Sequence, residues 1–105
     1  MTDWTPYTAR AKTWFEELRD RICAEFESIE AEMGSAAKFE YTSWNREEAG
    51  NANPGGGTRG VMKGQVFEKV GVNVSTVHGQ LAPEFAKTIH GAGADSPGFT
   101  ATGIS

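Results

Sequence analysis

Ser43, Ser75 and Ser105, the histidines His78 and His90, the lone Cys23 and the run Gly55–Gly57 are the groups whose types and spacing bear on chemistry. A serine nucleophile needs a base held beside it, usually on a nucleophile elbow; no such elbow surrounds any of the three serines, and neither histidine has the sequence context of their base. His78 and His90 lie twelve positions apart, without the carboxylate pattern of a metal site. The sequence favours a hydrogen-bonded structural imidazole over a proton shuttle at His78, and a helix C-terminal role for His90. A single cysteine can form neither an intrachain disulfide nor a CxxC site. Beside Ile22 in a helical pattern, Cys23 reads as a small packed or half-exposed residue rather than a catalytic thiol. Glu68 and Asp95 cannot be paired as acid and base from spacing alone. The three glycines lack both GxxxxGK[ST] and a strand–GxGxxG–helix context, so they read as a flexible loop, one whose bare backbone could still approach a ligand closely.

The elements that must position these groups fit into one domain. The chain has 105 residues, 38% of them hydrophobic and 23% charged, an ordinary globular composition. No apolar run approaches the roughly 20 residues that cross a bilayer, and the N-terminus lacks the basic-then-apolar plan of a secretory signal. A cytoplasmic protein without a transmembrane segment is expected. The net charge of −4 is uneven: Met1 to Gly50 holds eleven acids and six bases, Asn51 to Ser105 three acids and four bases. Without a basic stripe, nucleic acid is excluded as a partner.

Thr5 and Pro6 predict a helix start, Thr5 as cap and Pro6 in the first turn. Phe15, Leu18, Ile22, Phe26, Ile29 and Met33 recur at steps of three or four, predicting one long helix over Tyr7 to Met33, stopped by Gly34. Glu16, Glu17, Arg19, Asp20, Arg21, Glu25 and Glu27 are expected on its solvated side. Lys38 to Trp44 alternates as a first strand, and residues 45–57, rich in Asn and Gly, form a loop. Thr58 to Lys63 is a short strand, Gly64 turns the chain, and Gln65 to Val77 is a long strand with Val66, Val70, Val72 and Val74 on the core side and Lys69, Asn73 and Ser75 on the other. Pro83 to His90 predicts a short helix, Gly91 to Gly98 a closing segment, and Phe99 to Ser105 a last strand. The fold expectation is α+β, a long N-terminal helix packed on an antiparallel sheet.

Taken in order, SWNRE at Ser43 to Glu47, GGG at Gly55 to Gly57, VFEKVGVNVSTVHG at Val66 to Gly79 and FTATGIS at Phe99 to Ser105 resemble oxygen-dependent coproporphyrinogen III oxidase. The resemblance runs from the N-terminal helix to the last residue. It implies a haem-biosynthesis enzyme that uses molecular oxygen to decarboxylate two propionates of coproporphyrinogen III oxidatively to vinyl groups, giving protoporphyrinogen IX, carbon dioxide and hydrogen peroxide. It also implies a homodimer whose larger flat antiparallel sheet is sandwiched between helices, no organic cofactor, and in bacterial members a divalent metal.

Carried over residue by residue, the resemblance assigns one substrate-binding position, Ser105, the serine of the family's A-x-G-[VI]-S segment. No catalytic or metal-binding residue falls within the chain on this reading, because the family's histidines follow that segment. The chain is much shorter than a complete member, so residues 1–105 are expected to be one partial domain, an N-terminal fragment without turnover; its Glu48 to Pro54 spacer is longer than in some relatives. The rival reading is a non-catalytic binding or assembly module derived from that fold. A tetra-anionic substrate calls for several cations, and the sequence does not bring Arg59, Lys63, Lys69 and Lys87 together.

Overall fold

The computed structural model describes residues 3–89 and 98–105. Helix α1 spans Thr5–Glu32. Thr5, expected as the cap, is instead the first helical residue, and Asp3 Oδ1 accepts its amide at 2.9 Å. Gly34, at φ 82°, ends the helix as expected, since this left-handed conformation costs glycine little. Among the described residues four strands follow, β1 Glu40–Asn45, β2 Gly55–Met62, β3 Val70–Gln80 and β4 Gly98–Ile104, with a single turn of helix, α2, at Pro83–Ala86 before the last. They form one antiparallel sheet in the order β1-β2-β3-β4, so the α+β expectation holds. Among the described residues no helix is long and apolar enough to cross a membrane.

The loop expected over residues 45–57 is shorter. Asn45 belongs to β1, and Gly55–Gly57 pair with Thr76 and its neighbours instead of forming a mobile crossing. Close backbone approach is the reason: a Cβ on Gly55 would collide with the Thr76 carbonyl, and Gly55 has φ 87° besides. Of the second predicted helix only Pro83–Ala86 is helical, and His90, Asp95 and residues 91–97 of the closing segment lie outside the described residues.

Helix α1 packs on the sheet through its C-terminal half. Cys23, Phe39, Met62 and Val72 are the buried centre, with Phe26 set edge-on against Phe67 at a ring separation of 4.8 Å. Burial pushes the Cys23 thiol pKa up, as suits a packing residue. The expected apolar stripe is rotated, however: Ile29 and Met33 are exposed, while Glu30 is buried completely. Its carboxylate accepts the amides of Gln65 (2.8 Å), Val66 (2.9 Å) and Phe67 (2.8 Å). Burial alone would raise the Glu30 pKa; the amides of Phe67, Val66 and Gln65 and the Ser35 hydroxyl outweigh it and bring the group to about 2 from an ordinary 4.5. These bonds also explain why β3 begins at Val70 rather than Gln65, because amides turned toward a carboxylate cannot join a ladder. Glu27, expected in solvent, similarly accepts the Phe39 amide at 2.9 Å.

Candidate functional site

Strand alternation and register arrange the sheet's outer face, the one turned from α1, into rows. Thr42 lies opposite Arg59 and Arg59 opposite Asn73. Asn73 and Ser105 exchange both backbone bonds, at 2.8 and 2.9 Å, which places Ser105 at the end of the same row. The next row is Trp44, Gly57, Ser75, Gly103, and the one after it Gly55, Val77, Ala101. Four strands about 4.8 Å apart make each full row roughly 14 Å long, with rows about 7 Å apart. A row of donors therefore borders a floor of glycine, serine and small apolar groups, and the Trp44 indole reaches from β1 across β2 to Asn73.

The donor row is held at Asn73 by a bond along the same face, and its two outer donors, Arg59 and Ser105, are exposed. Trp44 Nε1–H donates to Asn73 Oδ1 at 2.9 Å, which leaves Asn73 Nδ2 turned elsewhere. Among the described residues, Asn73 Nδ2 and the Ser75 and Ser105 hydroxyls have no hydrogen-bond partner, and Arg59 has no ion pair. Arg59 and Ser105 are exposed, Trp44, Asn73 and Ser75 half-buried. Such a face can donate hydrogen bonds to an acidic ligand and support a broad ring beside it.

On the inner face the N-terminal half of α1 stands off the sheet across a cleft of about 710 Å³, with Lys12, Glu16, Arg19 and Asp20 above Ser43, Thr58, Thr76 and His78. The hydroxyls here satisfy one another, Thr76 with Thr102 at 2.8 Å and Ser43 with Thr58 at 3.4 Å. His78 Nδ1 bonds the Thr100 hydroxyl at 2.9 Å, the structural role its sequence favours. Its carbonyl accepts from Arg46 Nη1 (2.6 Å) and Asn51 Nδ2 (3.0 Å), which tie residues 46–54 to β3.

The sheet separates His78 from Ser75 and Ser105; Ser43 shares the face of His78 but bonds Thr58 while His78 bonds Thr100, so among the described residues no serine–histidine pair forms. Lys63 and Lys69 meet with Glu68 at the far end of the β2–β3 hairpin, away from the row that holds Arg59. Among the described residues no three His, Cys, Asp or Glu side chains cluster as metal ligands, so these residues do not fit a divalent ion. Sequence reasoning missed Asn73 and Trp44. Asn73 stood on the solvent side of its strand, but only the pairing of β3 with β4 sets it beside Ser105.

The family model described as coproporphyrinogen III oxidase matches residues 10–105. The oxygen-dependent coproporphyrinogen-III oxidase of Rickettsia felis is 51% identical over 100 residues, covering 90% of this chain and 34% of that protein. Its counterpart in Rickettsia akari is 52% identical over 97 residues, covering 88% and 33%. The chain spans about a third of the length of these curated relatives. No solved structure matches significantly.

Proposed function

Because the chain belongs to the coproporphyrinogen III oxidase family, we propose that it serves the oxygen-dependent oxidative decarboxylation of coproporphyrinogen III to protoporphyrinogen IX, its outer sheet face forming one wall of the substrate site. At each of two propionates the carboxylate leaves as carbon dioxide, a hydrogen departs with two electrons from the carbon next to the pyrrole, and a vinyl group remains. Molecular oxygen takes the two electrons and two protons and leaves as hydrogen peroxide. Ser105 binds the substrate through its hydroxyl, as donor or acceptor. No proton donor is assigned among these residues.

The observation that carries this reading is the position of Ser105, at the end of an open row of donors beside a flat floor. Homodimerisation and a cytoplasmic setting belong to the same reading. Exposed Trp4, Tyr7, Trp14 and Met33 offer apolar surface for a second subunit to cover.

Titration of the chain with coproporphyrin III, the stable oxidised form of the substrate, tests the reading. Saturable binding is expected, weakened about 3–10-fold by Ser105→Ala, the loss of one hydrogen bond. Absence of saturable binding, or an affinity indifferent to Ser105→Ala, would contradict it. The chain alone is expected to give no protoporphyrinogen from coproporphyrinogen and oxygen.

A further inference from the structure

We propose that Arg59, Asn73 and Ser105 form a clamp for one carboxylate of the tetra-anionic substrate, with the Trp44–Gly57–Ser75–Gly103 row carrying the macrocycle beside it. The proposal rests on the oxidase reading and adds two substrate-contacting residues to Ser105.

Asn73 is the centre of the clamp. An indole N–H is a donor only, so the bond from Trp44 must end on the amide oxygen, and Asn73 Nδ2 is left as a donor for something else. The same residue holds Ser105 by two backbone bonds and lies opposite Arg59 in the β2–β3 register. Asn73 therefore fixes the spacing of three groups: a guanidinium, an amide N–H and a hydroxyl. A carboxylate has two oxygens and about four lone-pair directions, and a planar guanidinium flanked by neutral donors suits it well.

The neighbouring row explains why the ligand would be broad. A Cβ at Gly103 would meet nothing within 4 Å, so the glycine leaves open floor where a side chain would otherwise rise. The Trp44 indole lies across the β2 part of that floor, held by Asn73, an aromatic surface beside the open Gly103 position. The inner cleft offers no comparable charge selection, since Lys12 and Arg19 there are matched by Glu16 and Asp20.

The clamp is tested by titrating the chain and its variants with coproporphyrin III, which has four carboxylates, and mesoporphyrin IX, which has two. Asn73→Asp keeps an acceptor for Trp44 and the backbone pairing to Ser105, but replaces the amide donor with a negative charge. It is expected to weaken coproporphyrin binding at least about tenfold, and Arg59→Gln about tenfold, as charge-assisted bonds are lost. In both variants the preference for coproporphyrin over mesoporphyrin should shrink, and Arg59→Lys should restore part of it. A merely structural role for either residue would leave that preference unchanged. Should Asn73→Asp fail to fold, the exposed Arg59 variants decide alone. Affinity and preference unchanged in the variants, with Ser105→Ala still impaired, would overturn the clamp and leave the oxidase reading standing. No binding by the unsubstituted chain would remove both.

Discussion

The Glu30 corner and the Asn73 row both gather polar groups around one residue, but they end differently. At Glu30 a buried carboxylate takes three consecutive amides, and donor and acceptor satisfy each other inside the fold. At Asn73 one side of the amide is used to hold Trp44, while the remaining donors of the row find no partner among the described residues. Satisfied polar groups lock a backbone in place; aligned, unsatisfied donors on a rigid sheet are available to a ligand. Substitutions at the first region should therefore move stability and leave binding specificity alone, and those at the second should do the reverse.

Glu30→Ala should have the largest effect. It strands three amides, and a drop in Tm of roughly 10 °C or more is expected by circular dichroism. The pH dependence of Tm probes the same corner. The Glu30 pKa is lowered on folding from 4.5 to about 2, so its contribution is fully present above pH 4.5 and is lost as pH falls toward 2. Glu30→Gln should flatten that part of the curve; an unchanged curve would show that the carboxylate is not what holds the corner. Gly64→Ala sets a Cβ against the Glu30 carboxylate and should lower Tm by about 4–8 °C without changing the relative affinity for four- and two-carboxylate porphyrins. The smallest effect is expected at Gly103→Val. Its Cβ meets open space, so Tm should move little, while the raised floor weakens coproporphyrin binding about 3–10-fold. If it altered Tm and not affinity, the division between the two regions would fail.

The helix, the sheet and the core parity of Val70, Val72 and Val74 were legible in the sequence because each depends on local periodicity, whereas Val66, expected with them, lies ahead of the strand and is exposed. Glu30 was not legible. It sits among acidic residues on a helix, and its burial depends on amides 35 to 37 residues away in sequence. Gly55–Gly57 read as a loop because glycine signals freedom locally, whereas here it admits close strand pairing that only the sheet reveals. Ser105 could be picked out through the family resemblance, yet its companions could not, since the β3–β4 register crosses a long connection that no local pattern fixes. Asn73 and Trp44 join the candidate site only through contacts across strands.

The most direct test of the outer face as ligand surface is an amide and indole NMR titration of the chain with coproporphyrin III. The account predicts shifts at the Trp44 indole N–H, the amides of Gly57, Asn73, Ser75, Gly103 and Ser105 and the Asn73 side-chain amide, with the Gln65–Phe67 amides around Glu30 unmoved. Shifts concentrated instead on Lys12 to Asp20, Thr76 and His78 would place the ligand in the inner cleft and contradict it.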